Sequence, residues 1–291
     1  MKADKASQTA QYMALFRAME SCRPAADRLF TDPFAVHFLD PYYKFVTRLT
    51  RVPGLRTLVQ RIIHRRIPGA FSSAIARTRY IDDWLKKAFD SGARQLVILG
   101  AGFDTRGARL GFLNNTPVIE IDHPNTSQRK SEMLQKAGVP YPTRIRLAQI
   151  DFNRQSLDTL AAEHGIDYTQ PTAILWEGVT NYLTPEAIDS TFAWIGRFAT
   201  GSYVVFTYIH KKILEAPREF HGGAKLLHDL EAIEERWTFG FEPAEVAPYL
   251  KRFGFELLED LGAAEYRARY IPHRTERGYE FYRVAIAKKI R

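Results

Sequence analysis

Several short apolar runs in this chain end in glycines or carboxylates, and those junctions are where its chemistry is to be sought. The sharpest is Leu96-Val97-Ile98-Leu99-Gly100-Ala101-Gly102-Phe103-Asp104-Thr105. Four apolar residues predict a buried strand, and glycines directly after it let the chain turn tightly and bring bare backbone against a ligand at the carboxyl edge of a sheet. About 20 residues further on, where a nucleotide-binding βα unit carries its ribose ligand, stands Val118-Ile119-Glu120-Ile121-Asp122. Alternation puts Val118, Glu120 and Asp122 on one side, with Asp122 at the end of the strand. A carboxylate there accepts hydrogen bonds from both ribose hydroxyls. Glu120 is the competing ligand, and a helix cap or structural ion pair is the plain alternative for either.

Two further junctions extend the pattern. Gln149-Ile150-Asp151-Phe152 ends a third strand, where Asp151 is placed to accept from an adenine amino group and Phe152 to cover the purine face. A helix N-cap followed by a core aromatic is the equal alternative. A fourth strand runs into Trp176-Glu177-Gly178-Val179-Thr180-Asn181-Tyr182-Leu183-Thr184-Pro185. Thr184 and Pro185 predict an N-cap and first helical residue, which leaves 177–182 as a loop at the same edge. Glu177 in that loop suits the ammonium group of a methionine moiety. Thr105 stands where a dinucleotide fingerprint needs its third glycine, which disfavours NAD or FAD.

These junctions need a sheet to hold them. Runs rich in β-formers recur at 95–99, 117–121, 144–150, 173–176, 203–208, 255–259 and 282–287, separated by amphipathic segments. The alternation predicts an α/β fold, a doubly wound, seven-stranded, mostly parallel sheet with helices on both faces. The last two runs are expected to pair antiparallel at one edge. From residue 7 to residue 90 apolar side chains fall at three and four spacing with no alternating strand, which predicts an N-terminal helical cap. The expected division is 1–92 for this cap and 93–291 for the ligand-binding domain, packed together without a flexible linker.

Composition narrows the class. At 291 residues and 45% hydrophobic, the chain buries a large core, while no apolar run approaches the roughly 20 residues that span a bilayer. The polar start is not signal-like, so a cytoplasmic placement is expected. Cys22 is the single cysteine, which excludes an intrachain disulfide and a cysteine-based zinc cluster. The net charge is +8, and its densest stretch holds Arg48, Arg51, Arg56, Arg61, His64, Arg65 and Arg66 among Leu55, Leu58, Val59, Ile62 and Ile63. That spacing predicts an amphipathic helix packed on the protein with its charges in water, so neither membrane nor nucleic acid is expected as a partner.

In combination, Gly100 to Arg106, then Glu120-Ile121-Asp122-His123-Pro124 with Lys130, then Glu177-Gly178 with Tyr182-Leu183, resemble the leucine carboxyl methyltransferase family in the broad sense. That group includes bacterial members acting on small molecules and polyketide carboxylates. Arg17-Ala18 with Glu20-Ser21, Asp32-Pro33-Phe34-Ala35 and Arg77-Thr78-Arg79-Tyr80-Ile81-Asp82 carry the resemblance into the N-terminal part. It implies a class I, Rossmann-like methyltransferase fold, S-adenosyl-L-methionine as donor, and methylation of a carboxylate on a small molecule or peptide. Carried over by position, Arg77 resembles the arginine at the donor's carboxylate, Gly100 the loop glycine, Asp122 the ribose ligand, Asp151 and Phe152 the adenine ligands, and Glu177 the partner of the methionine amine. Tyr182 resembles a tyrosine on the acceptor side, and Arg23 falls near a basic family position.

A carboxylate is already ionised near neutral pH and needs a clamp rather than a base; Arg79, Arg23 and Tyr182 are the candidates. A phenol or amine acceptor would instead use a base, and His210, just past the fifth strand, is placed for that. Asn181 and Tyr208 either line the acceptor pocket or brace loops. Two rival classes remain: a nicotinamide oxidoreductase, against which Thr105 argues, and a non-catalytic nucleic-acid or cofactor-sensing protein that uses the positive charge.

Overall fold

The computed structural model describes residues 8–150, 157–274 and 276–291. Four helices precede the first strand: α1 (Gln8–Ser21), α2 (Pro41–Leu49), α3 (Pro53–Arg66) and α4 (Ala70–Asp90). The strands are β1 (Gln95–Leu99), β2 (Val118–Asp122), β3 (Ile145–Gln149), β4 (Thr172–Trp176), β5 (Tyr203–Ile209), β6 (Phe255–Gly262) and β7 (Tyr282–Lys289). Between them lie α5 (Arg106–Arg109), α6 (Pro124–Lys136), α7 (Leu157–His164), α8 (Pro185–Ile195), α9 (Gly223–Ala232), α10 (Pro243–Arg252) and α11 (Ala263–Tyr270). Helices α2, α3, α6, α8 and α10 each open on a proline at the first turn, where its fixed φ suits the helix and its missing N–H costs no bond. Thr184 caps α8, its hydroxyl accepting from the Ala187 N–H at 3.3 Å.

The strands form one sheet in the order β3-β2-β1-β4-β5-β7-β6. β1 pairs in parallel with β2 and with β4, and parallel pairing continues outward to β3 and β5. The chain thus runs outward through β2 and β3 and crosses back to β4 beside β1. The carboxyl ends of β1 and β4 are therefore a topological switch point, where diverging loops open a crevice.

β7 is antiparallel to both β5 and β6. The expected antiparallel pairing of the last two strands is present, and within it β6 takes the edge while β7 enters between β5 and β6. Burial explains the choice. Val284, Ala285, Ile286 and Ala287 are all buried, whereas β6 carries Glu256, Glu259 and Asp260 and alternates with exposed positions that keep an edge solvated.

Every residue of β1 is buried. Val97 and Leu99 join Trp176, Phe192 and Phe206 in the core on one face; Leu96 and Ile98 join Tyr80, Leu85 and Tyr266 on the other. Two covered faces account for an uninterrupted apolar strand. α4 spans two of these cores: Phe71, Ala74 and Ile75 pack with Phe16 of α1, and Ala76, Tyr80, Ile81 and Leu85 pack with β1.

α3 departs from expectation. None of its residues is buried, and Leu55, Leu58 and Ile62 are exposed by 39%, 53% and 50%. Among the described residues, one edge of the helix, through Val59 and Ile63, touches the N-terminal core. The basic-apolar interleaving therefore leaves a second apolar stripe outside, because α3 packs by one edge against a crevice and not by a whole face against the sheet.

Candidate functional site

The loop after β1 is built by backbone geometry. Gly100 and Gly102 have φ of +64° and +49°, the left-handed region that disfavours a side chain. A Cβ on Gly100 would run into Val179, so this loop lies directly against the loop that follows β4. The Gly100 and Ala101 N–H groups both donate to the Ile121 carbonyl, at 2.7 and 3.1 Å. The Gly102 N–H donates to Asp122 Oδ2, and the His123 N–H donates to Oδ1 at 2.6 Å. Burial pushes the Asp122 carboxyl above its usual range, against the pull of those two backbone donors. A desolvated carboxylate held only by amides has capacity left for further donors.

Beneath this loop lies a buried ion network that joins the N-terminal helices to the strand ends. Arg106 Nε donates to Asp82 Oδ1 at 2.8 Å, and its Nη1 to Glu177 Oε2 at 2.8 Å; it also pairs with Asp104. Arg77 Nε holds the other oxygen of Glu177 at 2.8 Å, and its guanidinium lies 4.4 Å over the Tyr282 ring. Arg109 binds Asp82 at 2.7 Å. Asp32 accepts from Arg17 Nε at 2.8 Å and from the Thr105 hydroxyl at 2.7 Å, and caps the following turn through the Phe34 and Ala35 N–H groups. Thr105, which argued against a dinucleotide site, thus anchors the helical segment to the loop.

The network has a pH signature. Burial is the largest single influence and disfavours the charged Glu177 and Asp104, but the attractions of Arg106 and Arg77 at Glu177, and of Arg106, Arg17, the Arg106 N–H and Lys130 at Asp104, together exceed it and hold both carboxyls below their usual range, Asp104 to about 2. A depressed folded pKa means stabilisation that is complete above the unfolded value and lost as pH falls through the folded one. For Asp104 the melting temperature should therefore be insensitive above about pH 4 and fall between about pH 4 and pH 2. In an Asp104→Asn variant, thermal melts should show that step diminished.

A cavity of about 1240 Å³ opens over these groups. Its polar end is lined by Gly100, Ala101, Gly102, Asp104, Asp122, Arg77 and Glu177. Asn181 and Tyr182 continue the lining along the β4 loop, and Tyr12, Tyr43, Val46, Ile63, Leu226 and Leu230 make an apolar limb from α1, α2, α3 and α9. The Tyr182 hydroxyl donates to Glu235 Oε2 at 3.4 Å, as does Thr9 at 2.6 Å. Asn181 Oδ1 is buried without a hydrogen-bond partner among the described residues. The loop itself is pinned to β5: the Gly178 N–H donates to the Thr207 hydroxyl and the Thr180 hydroxyl to the Thr207 carbonyl, at 2.8 and 2.7 Å.

Some expected site residues lie elsewhere. Glu120 is 2% exposed, and its oxygens are taken by Lys130 at 2.5 Å and Tyr141 at 2.6 Å, so it is the structural ion pair and Asp122 alone faces the cavity. Arg79 points away, to Asp83 at 3.0 Å and the Leu29 carbonyl at 2.7 Å, because the turn of α4 that aims Arg77 inward aims Arg79 outward. Arg23 lies 3.8 Å from Glu20 and outside the cavity lining. His210 Nδ1 accepts from the Lys212 N–H at 3.2 Å as a turn cap, and its ring packs on Phe220. Tyr208 is tied to Asp260 at 2.5 Å and to Arg283 at 2.9 Å, on the other side of β5. Asp151 and Phe152 fall outside the described residues.

Tyr282 and Glu235 also line the cavity and were not expected there. Tyr282 had a readable signal: a strand antiparallel to its neighbours begins at the edge where they end, and Tyr282 pairs with Ile209 at the end of β5. Glu235 had none, since it follows α9 and reaches the site only through the chain's path over Asn181, whose carbonyl accepts the Thr238 N–H at 2.8 Å.

Residues 10–196 match the family described as leucine carboxyl methyltransferase. A "Putative S-adenosyl-L-methionine-dependent methyltransferase" of Mycobacterium avium (strain 104) is 31% identical over 252 residues, covering 85% of this chain and 82% of its own length. A protein of the same description from Streptomyces coelicolor is 35% identical over 211 residues, 71% of this chain and 70% of its own. A crystal structure of a "putative methyltransferase" from Thermobifida fusca YX shares the fold, with a TM-score of 0.59 and 18% identity over 100% of this chain and 97% of that one.

Proposed function

The chain belongs to the leucine carboxyl methyltransferase family and is an S-adenosylmethionine-dependent methyltransferase, and from that premise we propose that it esterifies a carboxylate on an apolar small-molecule acceptor. S-adenosylmethionine, when bound, supplies an electrophilic methyl group on a sulfonium. The chain's own groups suit such a donor: backbone and a desolvated carboxylate at Gly100–Gly102 and Asp122 for the ribose, and the Arg77–Glu177 pair for the amino-acid end; Asp151 and Phe152, outside the described residues, are assigned to the adenine by the family resemblance alone.

The observation that carries the acceptor reading is the composition of the cavity beyond Glu177. Asn181 and Tyr182 offer hydrogen-bonding groups there, the limb past them is mainly apolar with Lys225, Asp229, Glu235 and Arg236 along its α9 side, and among the described residues His210 is not part of the lining. A group that ionises on its own, as a carboxylic acid does with a pKa of about 4, is the acceptor that such a lining serves. Holding nucleophile and methyl in line is then the main work of the protein, since a fixed near-attack pair is worth on the order of 7 to 11 kcal/mol. The helical segment 1–92 acts in this reading as the cap that shapes the acceptor limb and keeps water out.

Glu235 favours a second reading. Hydrogen-bonded to Tyr182, it would provide the base that a phenol or amine acceptor needs. Product chemistry separates the two: with radiolabelled donor and a panel of apolar carboxylic acids, phenols and amines, the expected product loses its label in mild alkali as a methyl ester does. A label stable to alkali, with turnover abolished in Glu235→Gln, would replace the first reading by the second. In either case His210→Ala should change kcat by less than about threefold, because its ring serves a turn away from the cavity.

A further inference from the structure

The charge of this molecule is concentrated in one place. Residues 41–67 carry seven Lys and Arg and no Asp or Glu, whereas the whole chain nets +8, so the remainder is close to neutral. The same segment holds six of the eight large hydrophobic side chains that are exposed among the described residues: Tyr42, Phe45, Val52, Leu55, Leu58 and Ile62. Leu55, Leu58 and Ile62 recur at three and seven along α3 and form one stripe, with Arg65 and Arg66 on its flanks by the helical period.

The stripe is continuous with the cavity. Tyr42, Phe45 and Ile62 are at least half exposed and also line it, which puts them at its mouth, and Leu58 and Leu55 carry the apolar surface outward from Ile62. We propose that the α2–α3 segment is an interfacial docking surface for an anionic lipid bilayer, and that the cavity opens toward that surface. Arginines attract the charged headgroups, and exposed leucine, isoleucine and aromatic side chains gain by leaving water for the headgroup–acyl boundary. A nucleic acid would satisfy the arginines but leave the apolar stripe in water, which is why a lipid surface fits this segment better. No helix among the described residues is long and apolar enough to cross a membrane, so the contact is peripheral. The sequence-based expectation of no membrane partner followed from placing the whole apolar side of α3 against the protein, whereas the structure packs Val59 and Ile63 there and leaves Leu55, Leu58 and Ile62 outside.

Sedimentation of the full chain with phosphatidylglycerol–phosphatidylcholine vesicles, in the absence of any methyl donor, tests this independently of the catalytic reading. Binding is expected to the mixed vesicles, to weaken as salt is raised, and to be much weaker with phosphatidylcholine alone. Arg61→Glu with Arg65→Glu, and separately Leu55→Ser with Leu58→Ser, should each lower the partition at least about tenfold. All four side chains are exposed and lie outside the cavity lining, so circular dichroism should be unchanged. Equal binding to both vesicle types, no binding to either, or wild-type binding by both double variants would overturn the proposal. So would light scattering that shows the leucines closing a dimer, or a duplex that binds this segment while vesicles do not.

Discussion

Replacing Asp122 by Ala should raise the dissociation constant for S-adenosylmethionine, and for its demethylated product, by about a hundredfold or more. Each hydrogen bond to a charged acceptor is worth about 1.5–3 kcal/mol, and a ribose offers two hydroxyl donors. The carboxylate also holds the Gly102 N–H, so its loss frees the turn that presents the loop backbone. Asp122→Asn is instructive beside it: both oxygens accept from backbone amides, and an amide side chain would set its own NH₂ against one of them. Both variants should bind donor poorly while melting within a few degrees of the parent, since Asp122 carries an unfavourable desolvation that either change relieves. Calorimetry giving an unchanged dissociation constant would remove Asp122 from the donor site.

Arg106→Leu should cost most in stability. The guanidinium is 3% exposed and meets three carboxylates, of Asp82, Asp104 and Glu177. Removing one partner of a buried ion pair leaves uncompensated charge, at a cost of about 3–5 kcal/mol. That is a large share of the roughly 5–15 kcal/mol by which a folded domain is stable. Urea titration should show the midpoint falling sharply with little change in slope. Arg106→Lys should recover part of the loss, because an ammonium keeps the charge but cannot reach three carboxylates with a planar fork. A midpoint unchanged in Arg106→Leu would mean that the network contributes nothing net to the fold.

The two variants act on one constellation from opposite sides. Among the described residues Asp122 makes no direct ion pair and is held by backbone amides, with Lys130 acting only at a distance, which leaves it available; Arg106 is saturated by protein carboxylates, which makes it structural. Arg77 stands between the two roles, since it pairs with Glu177 and also lines the cavity. The donor's amino-acid end would therefore meet a preformed ion pair, and no isolated charge would have to be desolvated on binding.

Local pattern decided much of this protein. Four apolar residues before Gly100 dictated a strand buried on both faces, the proline starts dictated where helices begin, and the alternation in β2 placed Glu120 and Asp122 on one side. Those are properties of a few adjacent residues, set by backbone sterics and by the two-residue and 3.6-residue periods. Tertiary structure alone decided which polar group at a strand end is available. Glu120 and Asp122 share a face, yet Lys130 and Tyr141 arrive from α6 and the segment after it to consume one and not the other. Arg79 and Arg77 are two residues apart, and the packing of α4 selected which of them looks into the cavity. The exposed stripe of α3 was equally hidden, because a periodic pattern reports that a helix has an apolar side and is silent about what, if anything, covers it.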